Sequence, residues 1–182
     1  SAAAERIGEV LLRQPEIVDA PDAVDLHPRG ALRFEHVSVR FEGRPVLRDV
    51  SIDVPAGATV GIVGATGAGK STLLSLIGRV RDPDSGRILL DEHDLRKVKL
   101  SALRRALGYV PQETLLFGMS LRDNIAFEGI EMPTSRIETA MHAARLVNDL
   151  PQLPQGLATV VGERGTSLSG GQRARTALAR AL

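Results

Sequence analysis

Residues 59–72 read TVGIVGATGAGKST. The first six, Thr59–Gly64, are apolar on both parities, the pattern of a strand covered on both faces. The next eight, Gly64–Ser71, match G-x-x-x-x-G-K-[ST]. A run of leucines and isoleucine follows at helical spacing in Leu73, Leu74, Leu76 and Ile77, which predicts a helix over 70–80. Strand, glycine-rich turn and helix in that order aim backbone N–H groups and the positive helix end at one point, a cradle for an anion. Gly64, Gly67 and Gly69 let the backbone approach phosphate oxygens that side chains would collide with. Lys70 is in place to reach β- and γ-phosphates, and the Ser71 hydroxyl is in place to ligate Mg²⁺. Thr72 offers a second hydroxyl toward the α-phosphate, and Ala65, Thr66 and Ala68 complete the loop. A glycine-rich turn before a helix is the plain alternative, and the two correct flanks argue against it.

Outward from this stretch the chain reads as a globular protein. It has 182 residues, 43% hydrophobic and 25% charged, an ordinary balance for one domain. The net charge of +1 gives no basic excess of the kind a nucleic-acid binder carries, so no nucleic-acid partner is expected. Lysine is scarce: Lys70, Lys97 and Lys99 stand against twenty arginines, which adds weight to the setting of Lys70. No cysteine is present, which excludes disulfides, thiolate metal sites and cysteine nucleophiles. His27, His36, His93 and His142 show no metal-ligand spacing. No apolar run approaches the length that spans a bilayer, and the start SAAAERIGEV lacks the order of a signal peptide.

Residues 1–14 predict a short amphipathic helix, with Ile7, Val10 and Leu11 on one face and Pro15 ending it. Three prolines and several acids make 15–30 a linker. From Leu32 the period is two: Val37, Val39 and Phe41, then Val50, Ile52 and Val54 after the turn EGRP, a strand pair with one wet face. DPDSG (82–86) is a turn before the short strand RILL. Residues 101–107 are helical with Gly108 as a stop, and Tyr109-Val110 starts a second buried strand closed by Pro111. Ser135–Glu138 reads as a capping box opening a helix whose stripe is Ile137, Ala140, Met141, Ala144 and Val147, with Pro151 and Pro154 as its stop. A last helix starts near Ser169 and runs to the chain end.

That helix opens on LSGGQ (168–172). Ser169 is suited to N-cap it and, with Gly170 and Gly171, to offer donors to another phosphate. LSGGQ about a hundred residues after GATGAGKS resembles the signature of ABC ATPases. Tyr109-Val110-Pro111-Gln112 resembles the family's Q-loop, LRDNIAF (121–127) the stretch after it in exporters, and TVVGERG (159–165) the exporters' X-loop. Phe41 falls where the family has an aromatic under adenine, and a core aromatic on an alternating strand is the competing reading. AAERIGEVLLRQPEIVDAP (3–21) resembles the segment joining an exporter's last membrane helix to its ATPase domain. The resemblance covers essentially the whole chain, and the chain is similar to the multidrug and lipid exporter type. Gly118 and Ala174 depart from residues frequent in the family, at positions where both are expected to be tolerated.

The resemblance implies an α/β fold: a P-loop NTPase with a RecA-like core, an antiparallel β-subdomain and an α-helical signature subdomain, incomplete at the C-terminus. Its parts would be 1–30, helix and linker after a membrane domain, and 31–182, the ATPase domain, divided into 31–111, 112–168 and 169–182. It implies ATP and Mg²⁺ as ligands. The nucleotide would be bound by Phe41, Gly64, Ala65, Thr66, Gly67, Ala68, Gly69, Lys70, Ser71 and Thr72. Catalytic roles fall to Lys70 and Gln112, and Mg²⁺ to Ser71 and Gln112. Ser169, Gly170, Gly171 and Gln172 would act in trans on the nucleotide of a second ABC ATPase domain, identical or different. Residues 112–168 would pass the movement to transmembrane domains, with Glu163 and Arg164 as candidate contacts or as a plain solvated charged loop. The chain stops at RTALARAL (175–182), before the positions where the family has the Walker B Asp, the catalytic Glu and the switch His. These 182 residues are therefore expected to bind MgATP, to hydrolyse it very poorly, to leave sheet edges uncovered, and to be part of a longer membrane-associated protein. A soluble ABC ATPase acting on nucleic acid or the ribosome, and an ATP-binding regulatory domain without turnover, stay open as alternatives.

Overall fold

The computed structural model describes residues 6–8, 11–127, 131–162 and 165–182. They form two compact units, Ser1–Ala106 and Leu107–Leu182. Val10, Glu163 and Arg164, singled out in the sequence, lie outside the described residues.

The first unit is built on an antiparallel sheet of order β2-β1-β3-β4: β1 Leu32–Phe41, β2 Arg44–Val54, β3 Ser85–Leu90 and β4 His93–Asp94. Glu42 and Gly43 join β1 to β2, and Asp91 and Glu92 join β3 to β4, all four at positive φ. Two-residue turns of that hand match the twist of a hairpin. In β1, Phe34, Val37 and Val39 are buried, and the odd step from Phe34 to Val37 is a bulge at Glu35–His36. Gly86 lies against that bulge: a Cβ there would be driven into the carbonyl oxygens of Glu35 and His36. On β2, Val50, Ile52 and Val54 are half-buried while Ser51 and Asp53 are exposed, the expected wet-face alternation. Helix α1, Lys70–Ile77, buries Leu73 and Leu76. Helix α2, Leu100–Arg105, buries Ala102 and Leu103.

Two expected strands do not form. Residues 59–64 lie outside every strand, with Val60, Ile62 and Val63 exposed, Val63 at 93%. Tyr109 and Val110 are also outside any strand and are 59% and 44% exposed. A run apolar on both parities becomes a central strand only when neighbours supply hydrogen bonds at both edges and cover both faces. Among the described residues no strand pairs with either run.

The stretch 15–30 has a linker's composition but is tied down. Val24 bridges Val98 in parallel, its N–H donating to Lys97 O at 2.8 Å and its carbonyl accepting from Lys99 N at 2.9 Å. Asp19 Oδ1 accepts from Leu100 N at 2.7 Å and so caps α2. Asp22 pairs with Lys97 at 3.0 Å. The Asp91 carboxylate accepts from the backbone N–H groups of Arg29, Gly30 and Ala31. The acids that read as linker solvation are partners of this strap.

The second unit is helical: α3 Leu121–Ala126, α4 Thr134–Ala143 and α5 Gly170–Ala181, with 3₁₀ turns over Leu146–Gln152 and Gly156–Ala158. Its core joins Leu116, Leu121, Ile125, Ile137, Met141 and Leu146. The stripe read on α4 is the buried one: Ile137, Ala140, Met141 and Ala144 are buried, and Val147 packs beside them. The Ser135–Glu138 capping box does not form. The helix starts at Thr134 with Pro133 in the cap position, so Ser135 lies inside the first turn, where it has no free N–H to cap. Arg145, at φ 59°, ends the helical run well before Pro151, which sits inside the following 3₁₀ turn.

One buried side chain organises this unit. Asn124 is 0% exposed. Its Oδ1 accepts from Phe117 N at 2.9 Å, and its Nδ2 donates to Phe117 O at 3.0 Å and Ser120 O at 3.1 Å. Arg180, near the end of α5, donates from Nε to Asn124 O at 2.7 Å, from Nη2 to Asn124 Oδ1 at 3.0 Å and from Nη1 to Leu115 O at 2.9 Å. Burial pulls the Arg180 pKa down, and these acceptors hold it in place. Asp149 receives a bidentate pair from Arg175 at 2.7 and 2.8 Å, a second fastening of α5.

Two stability predictions follow from these networks. Asn124→Ala takes the Oδ1 acceptor from the Phe117 N–H and from Arg180 Nη2 and opens a hole at a fully buried position, and is expected to cost about 3 kcal/mol, read by urea denaturation. For Asp91, partial desolvation works against the carboxylate, but the three N–H donors outweigh it, so its pKa lies below the ordinary 3.8. A depressed pKa stabilises the fold above the unfolded value and loses that effect as pH falls through the folded one. Between about pH 4 and pH 2, Asp91→Asn should therefore lose less stability than the parent chain, measured by denaturation midpoints across that range.

Candidate functional site

The loop before α1 is shaped by two left-handed glycines, Gly67 at φ 82° and Gly69 at φ 88°. Gly69 is required twice over. Its conformation suits glycine, and a Cβ there would stand 2.9 Å from Leu47 Cδ2 and 3.1 Å from the Val46 carbonyl oxygen on β2. The Ala68 N–H donates to Ala65 O at 3.2 Å and tightens the turn. Lys70 folds back over the loop, its Nζ donating to Gly64 O and Ala65 O at 2.8 Å each.

The start of α1 is open. Leu73 N to Gly69 O, at 2.9 Å, is the first hydrogen bond of the helix. The amides of Lys70, Ser71 and Thr72 precede it and have no acceptor inside the helix. No side chain caps this end and no acidic residue lies in its first turn. The positive end of the helix is uncompensated, beside an ammonium group and an exposed Ser71. This arrangement attracts a multiply charged anion. No group of three or more His, Cys, Asp or Glu among the described residues could hold a metal ion. Mg²⁺ needs few protein ligands when phosphates supply the rest, and the exposed Ser71 hydroxyl is a hard oxygen donor of the type it takes.

Farther along the same helix lies a cavity of about 1000 Å³, lined by Phe41, Ser75 and Arg81 together with Gln14, Glu16 and Ile17. Phe41 is 48% exposed, so it is not a core aromatic. The Arg81 guanidinium lies 4.4 Å over its ring.

The remaining candidates belong to the second unit. Gln112 is exposed on irregular backbone. Ser169 caps α5: its Oγ accepts from Gln172 N at 3.2 Å while its own N–H donates to Gln172 Oε1 at 2.9 Å, a capping box. Gly170 and Gly171 are exposed, whereas Gln172 is 8% exposed with its carboxamide turned into the cap. Phe117 and Phe127 stack at 5.0 Å, with Arg180 over both rings. Sequence reasoning did not single out Arg81, Asn124 or Arg180. LRDNIAF contains Asn124, but its burial against Arg180, 56 residues away, is a tertiary fact.

Residues 47–182 match the family model of the ABC transporter. The chain is 42% identical, over its whole length, to an ATP-dependent lipid A-core flippase of Syntrophus aciditrophicus, of which it covers 30%. It is 42% identical over its whole length to a multidrug efflux ATP-binding/permease protein of Mycobacterium bovis, covering 15% of it. It is 41% identical, over 91% of its length, to the mitochondrial iron-sulfur clusters transporter atm1 of Aspergillus fumigatus, covering 23% of it. The chain therefore spans a third or less of the length of these relatives. The structure of a bacterial Atm1-family ABC exporter with ATP bound superimposes on 98% of the chain with a TM-score of 0.91 and 38% identity, over 32% of the exporter chain. That likeness gives the fold as the P-loop NTPase fold, α/β with an antiparallel sheet. With its glycine loop, open helix end and LSGGQ cap in place, and with the family model spanning most of its length, the chain belongs to the ABC transporter family.

Proposed function

We propose that this chain is the ATP-binding part of an exporter and that, within the longer protein, it hydrolyses MgATP in a head-to-tail pair of ATPase domains to drive transport. The observation that carries the reading is the uncapped first turn of α1 under the Gly64–Gly69 loop, with Lys70 already folded across it. Phosphates of ATP take the free amides of Lys70, Ser71 and Thr72 and the Lys70 ammonium, and Phe41 takes the base. Ser71 and Gln112 are the residues that would hold Mg²⁺, which neutralises charge on the phosphate oxygens.

Ser169, Gly170, Gly171 and Gln172 serve the nucleotide of the partner domain. The exposed Ser169 and the glycine backbone supply donors there, while the Gln172 side chain keeps the cap in shape. ATP then favours the closed pair, because its γ-phosphate gains donors only when both domains meet, and hydrolysis removes that preference. The helical unit passes the change to transmembrane domains, and Phe127 and Leu115 are exposed on it. Among the described residues no helix is long and apolar enough to cross a membrane. The names of the relatives, a lipid A-core flippase, a multidrug efflux protein and an iron-sulfur clusters transporter, support export and leave the cargo open.

Two outcomes test the reading. Titration with MgATP by calorimetry should show saturable binding that Lys70→Ala weakens at least about ten-fold, the worth of a charge-assisted contact to phosphate. Equal affinity in the two proteins would reject the site. In a steady-state phosphate-release assay, the 182 residues alone should turn over ATP about 10²–10⁴-fold more slowly than full-length family members, the usual worth of a general base. Family-like turnover from these residues alone would show that their own groups suffice.

A further inference from the structure

We propose that Arg81 is a positioning residue for the nucleotide base: it holds the Phe41 ring at the wall of the cavity beside α1, one ring face against its guanidinium and the other left for the base to stack on. The proposal rests on the reading of Phe41 as the base-binding aromatic and adds to it the group that fixes the ring.

Phe41 is the last residue of β1, and its side chain is half exposed. An aromatic at a strand end with so little packing loses rotamer freedom when a base stacks on it, and that loss opposes binding. Arg81 removes most of the freedom beforehand. Its Cζ lies 4.4 Å from the ring centroid, well inside cation–π range.

The guanidinium is itself fixed. Nη1 donates to the Arg40 carbonyl at 3.3 Å, and Nη2 pairs with Asp84 Oδ2 at 3.4 Å. The same Asp84 oxygen accepts from Arg40 N at 2.6 Å, and Asp84 N donates to Ser38 O at 3.0 Å. Ring, guanidinium and carboxylate are thus tied to the last turns of one strand. The turn that carries Arg81 is pinned from beneath by Arg79, which is buried, donates twice to Asp82 at 3.0 Å and once to Leu95 O at 3.3 Å.

Phe41, Arg81 and Ser75 all face the same cavity, whose volume of about 1000 Å³ suits a nucleoside. Ser75 is five residues past Lys70 on α1, a rise of about 7.5 Å. The cavity therefore lies along the helix from the phosphate loop, where the base of a bound nucleotide belongs.

The test compares binding of MgATP with binding of magnesium tripolyphosphate, which has the phosphates and no base, to the full chain by calorimetry. Arg81→Ala should weaken MgATP about two- to five-fold, the worth of an exposed cation–π contact, and leave tripolyphosphate unchanged. Arg81→Gln keeps a donor for the Arg40 carbonyl and removes the cation; it should behave like Arg81→Ala and serves if that variant fails to fold. Phe41→Ala should weaken MgATP at least about five-fold, the worth of base stacking, and adding Arg81→Ala to it should cost nothing further. Equal weakening of both ligands by the Arg81 variants would mean that the charge acts on the phosphates, and would overturn the proposal. Tighter MgATP binding would mean that Arg81 occupies the face the base needs, and would overturn it too. If Phe41→Ala lowers MgATP affinity and the Arg81 variants do not, the proposal fails and the reading of Phe41 stands. If Phe41→Ala leaves both ligands unchanged, that reading fails and the proposal falls with it.

Discussion

Three amides at the start of α1, those of Lys70, Ser71 and Thr72, have no acceptor within the helix. A helix end buried or capped by its own side chains would hide such donors. Here the chain does the reverse. Gly69, in a left-handed conformation and pressed against Val46 and Leu47, leaves no side chain to cap the helix and no room to acquire one. The loop carbonyls of Gly64 and Ala65 accept from Lys70 Nζ, which holds the ammonium against the loop that precedes the helix. Loop, helix and sheet are arranged around a demand for negative charge that the protein does not itself meet.

The start of α5 solves the same problem oppositely. Ser169 and Gln172 satisfy each other's backbone, and the helix is then locked by Asp149–Arg175 and by Arg180 on Asn124. An end so well satisfied is rigid without a ligand, and it presents Gly170 and Gly171 on a fixed frame. On the proposed reading, one helix end would grip phosphate and the other would be offered, preformed, to a partner's nucleotide. Preformed donors cost little ordering when they engage, which favours tight closure over adaptability.

What could be read in the sequence was local. The glycine spacing of 64–69 and the lysine after it encode a turn through backbone conformation alone, and the structure has that turn. The Ser169 cap and the α4 stripe were legible for the same reason. The runs at 59–64 and 109–110 read as buried strands because their apolar pattern states what a central strand requires, not whether its neighbours are at hand. Ser135 failed as a cap because Pro133 already holds the cap position two residues earlier. The acids of 15–30 looked like solvated linker because Val98, Leu100 and the other partners of the strap are some sixty to eighty residues away. Arg81 was invisible for a related reason: only the fold brings the 79–84 turn under Phe41.

The distinction between holding a nucleotide and breaking it follows from the same groups. The amides of α1 and the Lys70 ammonium touch phosphates whether or not the terminal bond is breaking, so much of their contribution is common to substrate and transition state. Uniform binding of that kind lowers the concentration needed for occupancy and does little for the rate of the chemical step. Rate requires a group that acts on the attacking water and donors that tighten as charge moves. On the proposed reading, Gln112 and the Ser169 cap join Lys70 as candidates for such timing, and the cap would act from a second domain. A site whose grip lies in one chain and whose completion lies partly in another makes turnover conditional on assembly. On the proposed reading, that condition would couple hydrolysis to movement and keep the two halves from discharging while apart.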